Sequence, residues 1–384
     1  MQFGFTEEQQ QFAAELRRYA ERRLAPEYAR WDSGEPFPKA ERLPELANLG
    51  LTGLRIPEEY GGTLASYVTI GVAAEELARG DFNYTLFLQL AAISGDLITA
   101  HGSDAVKGEW LPRLADGSAL CAFALTEPGV GSDAARLSAR AERKGGRWVL
   151  SGEKASITFA GYADVCVVFA RSGGDGARGV SAFLVPLDRP GVERSVYPSI
   201  GEKLSARGSI FLDAVEVDDD HMLGSEGGGF VQAMQSFDYN RAIIGLGFVG
   251  AARQSIDEVI AYTKERQAFG KPLAGHEGVS FQVAEHLTAL DCARLLGYRA
   301  LWKRDRDEPH ASEAAMAKLH AGRAGVAAVH AALLLHGHYG YTTESPLGQR
   351  LRDLMGLQIG DGTPEIMKGI IAREAYGPGV SIYK

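Results

Sequence analysis

Val165-Cys166-Val167-Val168-Phe169 and Ser181-Ala182-Phe183-Leu184-Val185 are the runs on which the fold turns. Both are short, apolar, and rich in β-branched or aromatic side chains, the composition of strands buried in a sheet. Working outward, Trp148-Val149-Leu150 is a third such run and Val215-Glu216-Val217 ends another. Lys144-Gly145-Gly146-Arg147 joins two of them as a hairpin. Glycine and proline turns separate the runs, so the stretch from about Leu120 to Gly224 reads as a β domain of roughly a hundred residues.

Helical signals flank this stretch on both sides. Upstream, Thr6 with Gln9 makes a capping box, and Phe12, Leu16 and Tyr19 follow on one helical face. Pro57-Glu58-Glu59-Tyr60-Gly61-Gly62 is a breaker before the apolar segment Tyr67 to Leu77, and Leu86 to Ala100 suggests a buried helix. Downstream, helical periodicity runs from Phe230 to Lys264, Val279 to Lys303 and Ser312 to Leu335, with a last helix starting at Pro364. The small residues of the third segment (Ala314, Ala321, Gly325, Ala328) suit close helix–helix approach. Core packing accounts for these stripes. The expectation is an α+β chain in three parts: an α-helical domain over 1–120, a β domain over 121–224 and a helical bundle over 225–384.

Composition narrows the function classes. A formal charge of −9 argues against a protein held to nucleic acid by phosphate contacts, yet leaves room for a local basic pocket. Cys121, Cys166 and Cys292 are far apart, which gives neither metal-ligand spacing nor a disulfide framework, and they read as inert buried thiols. No metal site is expected. The N-terminus passes from Met1 into helix-like sequence with no basic and apolar leader, and no apolar stretch is long enough to span a bilayer, so a cytoplasmic protein without membrane insertion is expected.

Four segments carry candidate chemistry. Thr126-Glu127-Pro128-Gly129-Val130-Gly131-Ser132-Asp133 holds two glycines and several short polar side chains. By itself it is a turn between strands, or a loop that lets amides and hydroxyls approach an anionic or carbonyl-rich ligand. Arg241, in Phe237-Asp238-Tyr239-Asn240-Arg241, precedes an apolar helical stretch and needs a partner, either Asp238 three residues back or a ligand phosphate. Arg266 precedes Phe269-Gly270, where the glycine reads as a helix end. In Ile359-Gly360-Asp361-Gly362-Thr363-Pro364-Glu365, a threonine cap, a proline at the first helical position and an acidic first turn start a helix. Asp361 is left without a role: a solvated turn aspartate, or a carboxylate aimed at a ligand.

Together these segments resemble the acyl-CoA dehydrogenase family over essentially the whole chain. The resemblance rests on the loop 126–133, on the Gly-x-Lys-x-x-Ile-Thr pattern from Gly152 to Thr158, on Arg-x-x-Phe-Gly-Lys from Arg266 to Lys271, and on the acidic-Gly-Thr loop from Asp361 to Thr363. It implies an N-terminal helical domain, a β-barrel-like middle domain and a C-terminal four-helix bundle, assembled as a homotetramer, with FAD between the middle and C-terminal domains. Carried over by position, Phe123, Leu125, Thr126, Gly131, Ser132, Ser156 and Thr158 contact the flavin, Thr158 near its N5. Arg266, with Phe269, Glu277 and Gly337, meets the FAD of a neighbouring subunit. Thr363 and Glu365 face the flavin's phosphate region. Ser132, Asp238, Arg241, Gly360 and Gly362 line the channel for CoA and the acyl group, and Asp361 is the catalytic base. The implied electron acceptor is an electron-transfer flavoprotein.

The chain departs from the family pattern where the acyl group would lie. Aspartate replaces the usual glutamate base, Gly360 stands where many members have tyrosine, and Ser156 stands where many have tryptophan beside the flavin. Glu277 and Leu334 replace glutamines. The shorter base and absent ring enlarge the space around the acyl Cα, hinting at an α-branched or cyclic acyl group. Asp361, with Glu277-Gly278-Val279-Ser280-Phe281 and Leu335-His336-Gly337-His338, resembles the cyclohexanecarboxyl-CoA dehydrogenase branch. Asn240 provides no alternative acidic base. Rival expectations are a flavin oxidase on the same fold, similar to nitroalkane oxidase, and a dehydrogenase of an acyl group tethered to a carrier protein. His336 and His338 read as structural histidines.

Overall fold

The computed structural model describes residues 4–377. Six helices come first: α1 (Glu7–Tyr19), α2 (Tyr28–Asp32), α3 (Lys39–Asn48), α4 (Tyr67–Gly80), α5 (Tyr84–His101) and α6 (Asp104–Ala115). The capping box of α1 forms as expected, Gln9 N donating to Thr6 Oγ1 at 3.2 Å and Thr6 N to Gln9 Oε1 at 3.1 Å. The apolar run read around Leu86 to Ala100 is α5, buried along nearly its whole length. Helices α3 and α6 escape a periodicity reading because each carries an interior proline, Pro44 and Pro112.

Eight strands follow: β1 (Cys121–Ala124), β2 (Arg140–Lys144), β3 (Arg147–Ile157), β4 (Val165–Arg171), β5 (Val180–Pro186), β6 (Val192–Val196), β7 (Gly208–Asp218) and β8 (Met222–Leu223). They form one sheet in the order β6-β7-β3-β2-β4-β5-β8, with β1 added in parallel beside β4. The 144–147 hairpin joins β2 to β3. Strand β4 is buried on both faces, which is why its sequence is an unbroken apolar run. Val165, Val167 and Phe169 pack toward the helices, while Cys166, Val168 and Ala170 join a second core with Trp148 and Phe183. The long β3–β7 pair slips register twice, between Leu150 and Gly152 and between Lys154 and Ile157.

The C-terminal part comprises α7 (Gly229–Glu265), a two-strand hairpin β9 (Gln267–Ala268) and β10 (Lys271–Pro272), α8 (Glu277–Arg304), α9 (Ala311–Leu335), α10 (Leu347–Ile359) and α11 (Pro364–Tyr376). Helix α9 packs against α7, α8, α10 and α11, and α7 also packs against α4. Helix α10 carries Leu347, Leu351 and Leu354 at helical spacing, and its buried face also includes Gln349, Arg350 and Asp353. Two expectations are corrected. Phe269-Gly270 is the turn of the β9–β10 hairpin and not a helix end; α7 stops at Glu265, and the Arg266 amide closes it on Tyr262 O at 2.9 Å. Cys292 is exposed on α8, so only Cys121 and Cys166 are buried thiols. Among the described residues no helix is long and apolar enough to cross a membrane.

Candidate active site

The loop 126–133 is fixed from behind by a buried ion pair. Lys154 Nζ on β3 donates to Glu127 Oε1 at 2.8 Å and to Leu125 O at 3.1 Å. Glu127 also accepts from Ser138 N, Ser138 Oγ and Ala139 N at 2.7, 2.7 and 2.9 Å. Burial alone would push the Glu127 carboxyl up, but Lys154 and these donors hold it below the ordinary range, while burial lowers Lys154. Gly129 and Gly131, on the rim, have nothing within 4 Å of where a Cβ would stand. Phe123, at the end of β1, is half-buried against Phe169 and Phe237, with ring centroids at 4.8 and 5.4 Å.

Ser156 sits in the second register slip of β3, at φ 59°, exposed. A bulge of this kind re-aims a side chain out of the sheet's alternation. Thr158 follows at 9% exposure, and its neighbour Phe159 stacks on Phe87 of α5 at 4.3 Å. The hydroxyls of Thr126, Ser132, Ser156 and Thr158 make no hydrogen bond among the described residues.

Asp361 lies in the tight connection between α10 and α11, half-buried, at φ 54°. The left-handed turn is disfavoured for most residues with a Cβ, and aspartate is among the few that adopt it as single residues. Gly362 at φ +101° continues the turn, and a Cβ there would meet Met367 Cε at 2.7 Å. Asn240 Nδ2 donates to Asp361 Oδ2 at 2.6 Å and lies 3.5 Å from Gln89 Oε1 of α5. Arg241, buried on α7, pairs with Asp238 at 3.1 Å and reaches Asp361 O at 3.3 Å. Of the two partners open to Arg241 from sequence, the structure supplies Asp238, with the Asp361 carbonyl as well. Burial lowers Arg241 and raises Asp238, each opposed by the other's charge. The amides of Asp361, Gly362 and Thr363 donate to nothing among the described residues. Thr363 Oγ1 caps α11, accepting from Ile366 N at 3.4 Å, and Glu365 is exposed beside Lys368.

Two chains of contact join these halves. Phe123 meets Phe237, whose ring lies 5.7 Å from the Arg241 guanidinium, and Arg241 reaches the Asp361 loop. On the other side Arg207 bridges Ser156 O at 3.3 Å and Glu202 Oε2 at 2.6 Å, and Glu202 packs on Gly356 of α10. Contacts thus run from Phe123 to Asp361 and from Ser156 to α10, along a seam between the sheet, α5, α7 and the α10–α11 turn. Arg266, Phe269, Glu277 and Gly337 lie apart from it, all exposed, at the bundle end formed by the hairpin and the adjoining ends of α8 and α9. Phe269 is 97% exposed. His336 there is buried, stacked on Tyr262 at 4.6 Å with Nδ1 against Ala332 O at 2.8 Å. A surface cleft of about 420 Å³ near Arg113 and Arg194, and an apolar cavity of about 30 Å³ near Leu46 and Leu88, include none of the expected residues. The cleft mixes both signs of charge, so the seam, with its open hydroxyls and oriented carboxylate, is the stronger chemical site.

Gln89, Glu202 and Lys318 adjoin these segments without having been singled out from sequence, while Glu127 and Lys154 stood inside quoted motifs with no role of their own. A signal existed for Lys318, a lone charge on the Ala314–Ala321–Gly325 face of α9.

Three consecutive parts of the sequence match the acyl-CoA dehydrogenase N-terminal domain over 6–118, middle domain over 122–215 and C-terminal domain over 227–376. The human mitochondrial short-chain specific acyl-CoA dehydrogenase is 37% identical over 367 residues, spanning 93% of this chain and 87% of that protein. The chain belongs to the acyl-CoA dehydrogenase family. Its members are FAD-dependent oxidoreductases acting on acyl-CoA. The butyryl-CoA dehydrogenase of Megasphaera elsdenii superposes with a TM-score of 0.94 at 31% identity, over 98% of this chain and 100% of that one. A glutaryl-CoA dehydrogenase of Mycobacterium smegmatis in complex with FADH2 superposes at 0.93 with 30% identity, over 99% and 97%. The acyl-CoA dehydrogenase architecture of helices, middle sheet and helices is thus the one expected from sequence.

Proposed function

We propose that this chain desaturates an acyl-CoA thioester between Cα and Cβ, with Asp361 as the base that removes the α-proton. The observation that carries the reading is the state of Asp361: its carboxylate is held by the neutral Asn240 amide at 2.6 Å and makes no ion pair among the described residues. The α-proton of a thioester is weakly acidic, so the base must be held at it while the carbonyl oxygen is polarised. The unused amide of Asp361 is a donor for that oxygen. Asp238, Arg241 and Ser132 line the approach of the CoA thioester.

The seam suits FAD. Four hydroxyls without partners, the bare glycine rim of 129–131 and the Phe123 ring match a flat heterocycle edged with hydrogen-bonding atoms. Bound there, FAD supplies the two-electron acceptor for the β-hydrogen. Leu125, Thr126 and Thr158 would hold its ring, with Thr363 and Glu365 toward its phosphates. The exposed Arg266, Phe269, Glu277 and Gly337 would meet the FAD of a neighbouring subunit in a homotetramer, and an electron-transfer flavoprotein would take the electrons in the cytoplasm. Gly360 and the short Asp361 leave room at Cα, which favours an α-branched or cyclic acyl group of the cyclohexanecarboxyl-CoA kind.

Anaerobic titration of the yellow protein with straight, branched and cyclic acyl-CoAs tests this. Flavin absorbance should bleach, fastest with the branched or cyclic members. No bleaching with any acyl-CoA, together with rapid oxygen consumption on a nitroalkane, would replace the reading by the oxidase one.

A further inference from the structure

Lys318 is buried on α9, at 3% exposure, on a face otherwise made of Ala314, Ala321 and Gly325. A buried ammonium needs an anion or a full set of acceptors. Among the described residues it forms no ion pair. Its Nζ donates instead to Gly360 O and, at 2.5 Å, to Gly362 O. Arg241 takes the carbonyl between them, that of Asp361, at 3.3 Å. Three successive carbonyls thus turn toward two buried cations from two different helices. The amides and the Asp361 side chain are left to the seam.

A structural role alone does not account for this arrangement. Helix α11 is already started by Thr363 and Pro364 and anchored by the buried Met367. The two Lys318 bonds fall on the residues flanking the one non-glycine of the turn that adopts a left-handed backbone. Burial pushes the Lys318 ammonium down to about 8, with Asp361 pulling it up and Arg241 pushing it further down. It remains mostly charged at neutral pH. Facing it are Asp361 from the turn and Arg241 from α7, with Asp238 behind Arg241.

We infer that Lys318 is a positioning residue: by bridging the carbonyls of Gly360 and Gly362 it holds Asp361 in the turn from which its carboxylate meets the acyl α-carbon. This rests on Asp361 being the base. Removing the bridge leaves two carbonyls without donors and frees the turn to relax. The carboxylate then reaches the α-proton less often, while thioester binding, which rests mainly on the CoA contacts of Ser132, Asp238 and Arg241 and only in part on the Asp361 amide, changes far less.

The test uses the FAD-loaded protein and a 3-thiaacyl-CoA, which has an α-proton but sulfur in place of the β-carbon and so cannot be dehydrogenated. Deuterium wash-in from D2O at Cα then reports the base alone. Lys318→Met should slow wash-in by about 10- to 100-fold, the loss expected of a misplaced reacting group, with ligand Kd within about threefold. In the substrate-free variant, amide exchange should quicken over 360–363 and stay as in the wild type over 367–374. Lys318→Gln, which keeps two N–H donors without the charge, should lie between; it is read by the same criteria if Lys318→Met does not retain FAD. Wash-in within about twofold of wild type in the loaded variant, or slowing matched by an equal loss of affinity, would overturn the inference. Absence of wash-in from the wild type would instead overturn Asp361 as the base.

Discussion

Two glycine-rich loops each present a carboxylate, and they use it in opposite ways. In 126–133 the cation is directed at the side chain: Glu127 takes Lys154 and three further donors, is 5% exposed, and has no capacity left for a ligand. In 360–363 the cations Lys318 and Arg241 are directed at backbone carbonyls, and Asp361 keeps its carboxylate with a single neutral donor, Asn240. The first arrangement fixes the acid itself and leaves the loop's hydroxyls and glycines without partners among the described residues. The second fixes the backbone and leaves the carboxylate without a cation. On the proposed reading, where the buried cation points separates the structural acid from the reactive one.

The largest effect should come from Asp361. Asp361→Ala should retain FAD and its unfolding midpoint yet lose about 10²- to 10⁴-fold in the anaerobic rate of flavin bleaching by acyl-CoA, the usual contribution of a general base. Unchanged bleaching would break the comparison on its reactive side. Lys154→Met should do the reverse. Leaving Glu127 buried and unpaired should lower unfolding stability in urea by about 3–5 kcal/mol and reduce the fraction of protein carrying FAD. The bleaching rate per bound flavin should stay near that of the wild type. A variant of normal stability with slowed bleaching would mean that Glu127 takes part in the chemistry.

The same distinction explains what the sequence discloses. Long helices α4, α5, α7, α8 and α9 and strands β3, β4 and β5 are legible because apolar spacing or apolar runs dictate them. Asp361 is visible as an acid that the helix start at Thr363 leaves unused. Its environment is not: Asn240, Lys318 and Gln89 come from α7, α9 and α5, and only tertiary packing brings them within reach of one turn. Helix α10 carries leucines at helical spacing, Leu347, Leu351 and Leu354, but what it buries beside them is illegible for a related reason, since those polar residues have partners far along the chain. Tyr28 OH and Asn83 Nδ2 donate to Asp353 Oδ2 at 2.6 and 3.1 Å, and Glu202 N donates to Oδ1 at 2.6 Å. Ser156 stands out in sequence as a substitution, whereas its exposure comes from a register slip that no local pattern announces.

The Asp353 junction also provides a third kind of buried carboxylate, one given no cation at all, and it yields the smallest of the expected effects. Asp353 accepts only neutral donors, and Asp81 beside it accepts from Asn83 N and Nδ2, both at 2.8 Å. Burial pushes Asp81 up to about 7 and Asp353 up to about 6, from an ordinary 3.8. Across that window the folded chain holds protons that the unfolded chain has released, so these groups contribute stability that is complete below pH 3.8 and is lost as pH rises through 6 to 7. His101, His221 and His286, pushed down by burial, act in the opposite direction, so the informative quantity is the difference between wild type and variant. Asp81→Asn is neutral at every pH. Its stability relative to the wild type should therefore improve between pH 5 and 7.5, by at most about 1.4 kcal/mol per pH unit for the one proton involved. Urea unfolding at several pH values measures it. A pH-independent difference would mean that Asp81 is ionised in the fold, and that burial without a cation does not suffice to keep an acid neutral here.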